Sequence, residues 1–209
     1  MKKAIISYMI LLSLPVFAQK KMELTNLKAT QLPKGITYKG TLKTAVRWTD
    51  KLGDNLVITT VTGETASKSP EVEDSRDASL YAMHYLVFKD SVSQVWKVSD
   101  YVKECPFDII LNFIGNTFHV TDLNQDGIGE IWLMYKASCR SDVSPVDMKI
   151  IMYEGKQKYA MRGQNIVEPS KGESMGGDYK FDKAFDNGAA SFRDFAKKLW
   201  KENSKQVWE

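Results

Sequence analysis

The 209-residue chain carries 29 Lys+Arg against 26 Asp+Glu, a formal charge of +3 that falls to +1 once Lys2 and Lys3 leave with an N-terminal signal. That near-balance argues against a nucleic-acid or anionic-membrane partner, each of which calls for a clear basic excess. A hydrophobic content of 43% with 11% aromatics supports a packed core, excludes disorder as the main state, and fits one domain at this length.

Met1-Lys2-Lys3 is a short positive region, Ala4–Leu14 an uncharged, mostly apolar run, and Val16-Phe17-Ala18 places small or medium residues before Gln19. This is the three-part pattern of a secretory signal. The run is too short to span about 30 Å of hydrocarbon, and no later stretch approaches 18 apolar residues. The expected division is a signal peptide over 1–18, a polar lead-in over 19–39 and one β-rich domain over 40–204. The mature protein is expected to be exported, periplasmic or extracellular, with no transmembrane segment.

After the lead-in come strand-like runs joined by turn signals. Ala45–Thr49 and Leu56–Thr62 flank Asp50-Lys51-Leu52-Gly53-Asp54-Asn55, a hairpin pattern. Residues 63–79 hold Gly63, Pro70 and the acids Glu64, Glu71, Glu73, Asp74 and Asp77, and read as a solvated loop. Leu80–Phe88 and Gln94–Tyr101 make a second hairpin. Leu80–Phe88 is apolar on both faces, as a central strand covered on two sides would be. Thr117–Thr121 and Ile131–Lys136 make a third, Met148–Tyr153 and Lys158–Arg162 a fourth. Residues 163–188 read as loop. Phe192, Phe195, Ala196, Leu199 and Trp200 then repeat at helical spacing, one apolar stripe that predicts a C-terminal amphipathic helix docked on the domain's own sheet. The predicted fold is mainly β: an antiparallel meander or sandwich of about eight strands built from hairpins, with that helix packed on it.

Cys105 and Cys139 are the only cysteines. In an oxidising compartment an even pair reads first as a disulfide. Buried free thiols are the alternative; a catalytic thiol is disfavoured because neither has a histidine near it in sequence.

The loop between the third pair of strands carries the most chemistry. Asp122-Leu123-Asn124-Gln125-Asp126-Gly127-Ile128-Gly129-Glu130 reads D-x-N-x-D-G-x-G-E. Oxygen side chains recur at every second position, and Gly127 permits the positive φ that folds a chain round a centre. Hard oxygen donors in this number suit calcium, and the first six positions match the start of an EF-hand loop. Position 12 is Leu133 rather than Glu, and the flanks are strands, so Glu130 at position 9 offers the closing carboxylate. The arrangement resembles the FG-GAP and VCBS type of calcium loop set in β-hairpins. On this reading Asp122, Asn124, Asp126 and Glu130 supply side-chain oxygens, Ile128 supplies its carbonyl, and the ion is structural. A metal-free acidic turn, in which Asp and Asn cap their own backbone, competes with it; so does a catalytic carboxylate pair.

Nothing else in the sequence carries a reaction. His84 and His119 stand alone, without zinc-site partners, and read as structural. No G-x-S-x-G, S-x-x-K, Walker loop or G-x-G-x-x-G occurs. Trp48, Trp96, Trp132 and Tyr135 read as core more readily than as a sugar-binding surface. The Cys139-Arg140-Ser141-Asp142 loop should lie some 25 Å from residues 122–130 if the strand from Ile131 runs straight.

The signal, the D-L-N-Q-D-G-I-G-E-I-W-L-M-Y-K run, the C-R-S-D-V-S-P loop and the M-K-I-I-M-Y-E-G-K-Q-K-Y-A-M-R-G hairpin occur in that order. Together they resemble a family of small exported proteins of Bacteroidota labelled "surface polysaccharide biosynthesis protein", over roughly residues 40–200. The resemblance implies a link to lipopolysaccharide or capsule. It implies no transferase, since nothing here resembles a nucleotide-sugar site. The expectation is an exported, non-enzymatic calcium-binding β-domain of the envelope that supports surface polysaccharide by binding an envelope glycan or protein. The alternative is a glycan-acting hydrolase or lyase with an unrecognised acidic site.

Overall fold

The computed structural model describes residues 22–68 and 71–206; the signal segment lies outside them. Two six-stranded antiparallel sheets face each other, and no closed barrel forms. In the first sheet β1 (Thr25–Asn26), β2 (Thr41–Asp50), β3 (Gly53–Val61) and β5 (Arg76–Val87) lie side by side. The short β4 (Thr65–Ala66) pairs with the start of β5, and β6 (Val92–Cys105) runs along the other edge of β5. In the second sheet the order is β14 (Tyr179–Phe181), β11 (Gln157–Gln164), β10 (Asp147–Glu154), β9 (Glu130–Arg140). Two strands share the far edge of β9: β8 (His119–Thr121) at its beginning and β7 (Asp108–Phe113) at its end. β12 (Ile166–Val167) and β13 (Met175–Gly176) form a small ribbon, and α1 (Ala184–Asn187) and α2 (Ala190–Asn203) close the chain.

The four expected hairpins are present as β2–β3, β5–β6, β8–β9 and β10–β11. Strand periodicity explains the layers, because alternate residues point to opposite faces. Val46, Val57, Leu80, Val98, Leu133 and Ile151 form the core between the sheets. Residues of the opposite parity in the second sheet, among them Trp132, Met134, Ile150 and Met161, pack under Phe185, Phe192, Ala196, Leu199 and Trp200 of the helices. The outer face of the first sheet, through Leu56, Ile58 and Met83, is covered by Leu27, Leu32, Ile36 and Tyr38. Both sheets are thus covered on two sides. That is why Leu56–Thr60 and Glu130–Tyr135 are continuously buried rather than alternating.

Cys105 and Cys139 form a disulfide with Cα atoms 5.6 Å apart. It joins the end of β6 in one sheet to β9 in the other. Elements absent from the sequence reading are short or half-buried. β7 hides a clear alternation of Ile109, Leu111 and Phe113, and β5 begins at Arg76, inside the stretch read as solvated loop. β12–β14 and α1 occupy the stretch read as loop because the packed second sheet and helix offer them partners. Gly163 is one such place: a Cβ there would lie 1.9 Å from the Asp178 carbonyl oxygen, so only glycine lets β14 approach β11.

Candidate functional site

Residues 122–130 connect β8 to β9. Gln125 (φ 61°) and Gly127 (φ 83°) supply the left-handed turns that reverse the chain. The acids face inward and accept backbone N–H groups of the loop. An Asp122 carboxylate oxygen accepts from Gly127 N at 3.2 Å, and Asp126 Oδ1 accepts from Ile128 N at 2.8 Å. Asn124 Oδ1 accepts from Asp126 N at 3.2 Å. Glu130 is fully buried; it accepts from the Thr121 hydroxyl at 2.6 Å and from Leu123 N at 2.9 Å. Burial pushes its carboxyl above the usual range, against the pull of those donors.

Folding brings in groups that sequence reasoning missed. Glu154, at the β10–β11 turn, lies directly opposite Glu130 across the strand pair. Asn124 Nδ2 donates to its Oε1 at 2.5 Å. The Glu154 carboxyl is raised first by burial and then by the charges of Asp126, Glu130 and Asp122. Like charges opposite each other across strands are destabilising, and among the described residues no Lys or Arg makes a salt bridge with Asp126, Glu130 or Glu154. The signal for Glu154 was its place beside a Gly-containing turn in the adjacent hairpin; the register that sets it against Glu130 is tertiary.

The β2–β3 turn clamps the loop from the first sheet. Asp50 accepts four hydrogen bonds: Trp48 Nε1 at 3.0 Å, Leu52 N at 2.8 Å, Asn55 Nδ2 at 2.9 Å and Gly129 N at 2.9 Å. Lys51 N donates to Gly127 O at 3.0 Å, and Lys51 Nζ donates to the Asp126 carbonyl. The Lys51 stem lies where a Gly127 Cβ would be, 2.8 Å away, a second reason for glycine there. From the other side, the Ser191 hydroxyl at the start of α2 reaches Leu123 O at 3.5 Å.

The Asp50 network continues inward. Asn55 Oδ1 meets His84 Nε2 at 2.8 Å, and His84, fully buried, stacks on Trp48 and leans on Trp96. Desolvation pushes the His84 pKa down to about 4, so the ring is neutral. His119 packs edge-on against Phe195. Both are structural in their surroundings. Trp48, Trp96, Trp132 and Tyr135 are all buried, which leaves none as a surface sugar platform.

A cavity of about 880 Å³ lies beside the loop, with Glu23, Arg47, Asp50, Asp54 and Asp122 in its lining. Asp54 is paired with Arg47, whose Nε donates at 2.8 Å, and Asp50 is saturated by its four donors. The five expected ligands, Asp122, Asn124, Asp126, Ile128 and Glu130, therefore do share one loop. Their carboxylates act as amide caps, and among the described residues no group of three or more His, Cys, Asp or Glu side chains is arranged to hold a metal ion. The Cys139–Asp142 segment sits at the opposite end of β9, away from this loop. No described helix is long and apolar enough to cross a membrane. No family model matches the chain, and no curated protein or solved structure matches it.

Proposed function

We propose that the protein is an exported, non-enzymatic β-sandwich domain of the bacterial envelope that acts by binding, and that calcium closes its 122–130 loop as a structural ion. The observation that carries the ion is that the charges of Asp126, Glu130 and Asp122 all act on Glu154, which stands across from Glu130, with no ion pair from Asp126, Glu130 or Glu154 among the described residues. The donor set is all hard oxygen, as calcium requires. Because the carboxylates already cap amides, the ion must compete with those bonds, which places its affinity at the weak end, about 10⁻⁴–10⁻³ M as for extracellular modules. The resemblance to exported proteins associated with surface polysaccharide supports the envelope role, with a glycan or an envelope protein as partner. Against the hydrolase or lyase reading stands the engagement of both carboxylates beside the buried Trp48: Asp50 holds four donors and Asp54 is bound to Arg47.

The test is thermal unfolding of the purified protein in millimolar calcium, magnesium or chelator, with calcium titration calorimetry alongside. The expected result is a calcium-specific rise in Tm that Asp126→Ala abolishes. An unchanged Tm and no calorimetric signal in folded wild type would reduce the loop to a metal-free acidic turn. Co-sedimentation with purified lipopolysaccharide or capsule tests the partner, and its absence from both would remove the polysaccharide reading.

A further inference from the structure

The second sheet leaves a gap where β7 parts from β9 at Phe113 and β8 joins it at His119. Opposite that gap, the first sheet has a β-bulge between Leu42 and Thr44. β1 pairs with β2 at Val46 and Arg47 and Leu27 N donates to Ala45 O, while among the described residues no strand pairs with that edge of β2 at Leu42–Thr44. Between the two irregularities lies a cavity of about 500 Å³, within the range of small-molecule sites. Val61, Leu111, Phe113, Phe118 and Leu133 give it apolar walls.

Its polar side chains are Lys43, Thr44 and Thr59 from the first sheet and Asn112, Asn116 and Thr117 from the second-sheet side. Thr44 and Thr59 are direct partners across β2 and β3. Thr59 is 2% exposed, lines the cavity, and its hydroxyl has no hydrogen-bond partner. A buried hydroxyl left unpaired is costly, and it points to a polar group that comes from outside. Bulges commonly re-aim one side chain; here the extra residue is Lys43, the only cation in the lining. Among the described residues Lys43 makes no salt bridge.

We infer that this cleft binds a single-chain amphiphile with a carboxylate head, its hydrocarbon chain between the sheets and its head at Lys43, with the Thr59 hydroxyl hydrogen-bonded to the ligand. One lysine without an arginine fork suits a monoanion better than a phosphate monoester, which draws bidentate or multiple cations. The inference does not depend on the cation loop, which is elsewhere in the molecule.

The test is titration calorimetry of the purified protein with dodecanoate and with dodecanol, both below their aggregation limits. Dodecanoate should bind saturably at one site. Lys43→Gln should weaken dodecanoate roughly fivefold, the upper range for a partly exposed pair, and leave dodecanol unchanged. Thr44→Phe, at the half-exposed rim, should block both probes; Lys43→Gln reads the same site if that variant fails to fold. No saturable binding of either probe to folded wild type, or dodecanoate affinity unchanged in both variants, would overturn the proposal.

Discussion

Removing the Asp50 carboxylate is the sharpest perturbation of the junction between the first sheet and the 122–130 loop. In Asp50→Ala four donors lose their acceptor: Trp48 Nε1, Leu52 N, Asn55 Nδ2 and Gly129 N. They do not weigh equally. Leu52 N lies on an exposed turn, where water replaces the carboxylate at little cost. Asn55 Nδ2 keeps the Gly53 carbonyl at 2.8 Å. Trp48 is 3% exposed and Gly129 is buried, and both donate to the same Asp50 oxygen, so these two donors lose their acceptor together and carry most of the loss. Each unsatisfied buried donor costs about 1–3 kcal/mol, so the expected loss for the two is about 2–6 kcal/mol. At about 2–4 °C per kcal/mol for a chain of this size, Tm should fall by roughly 10 °C. Asp54→Asn is the control: its pair with Arg47 is 41% and 31% exposed, and its loss should cost less than about 1 kcal/mol. Urea unfolding gives the magnitude, and amide hydrogen exchange gives the place, with Gly127 and Gly129 losing protection first. A loss below about 1 kcal/mol for Asp50→Ala, or unchanged exchange in the loop, would refute the clamp.

Two further outcomes follow from buried groups. His84 has its pKa lowered from 6.5 to about 4, so its neutral form is the one that folds, and its contribution is present above pH 6.5 and lost as pH falls toward 4. That window is worth up to about 3 kcal/mol; urea midpoints across it should slope for wild type, while His84→Gln, which keeps a donor for Asn55 and does not titrate, should lack that part of the slope. The Cys105–Cys139 bond closes a 34-residue separation and joins the two sheets, so replacing both cysteines with serine should cost about 2–4 kcal/mol, read by denaturant unfolding against oxidised wild type.

Much of this architecture could be read from local sequence because the determinants are local. Period-two alternation and Gly- or Asp-containing turns specify the four hairpins, and the stripe from Phe192 to Trp200 specifies the helix and its buried side. The apolar character of Leu80–Phe88 on both faces marked β5 as central, and it does pair on both sides, with β3 and β6. The even cysteine count, read with the expected export signal, pointed to the disulfide. The oxygen spacing of Asp122, Asn124, Asp126 and Glu130 marked one loop as different from the others.

Register and layer order were decided only in three dimensions. Glu154 stands across from Glu130 because β9 and β10 align that way, which no spacing within either strand reveals. Asp50 reaches Gly129, 79 residues away in sequence, because one sheet's turn packs on the other sheet's loop. Lys43 and Thr59 share a cleft because a bulge in one sheet lies over a gap in the other. Local sequence sets which face of a strand is apolar; which faces meet is set by the joint burial of all of them, and that is a property of the assembled core.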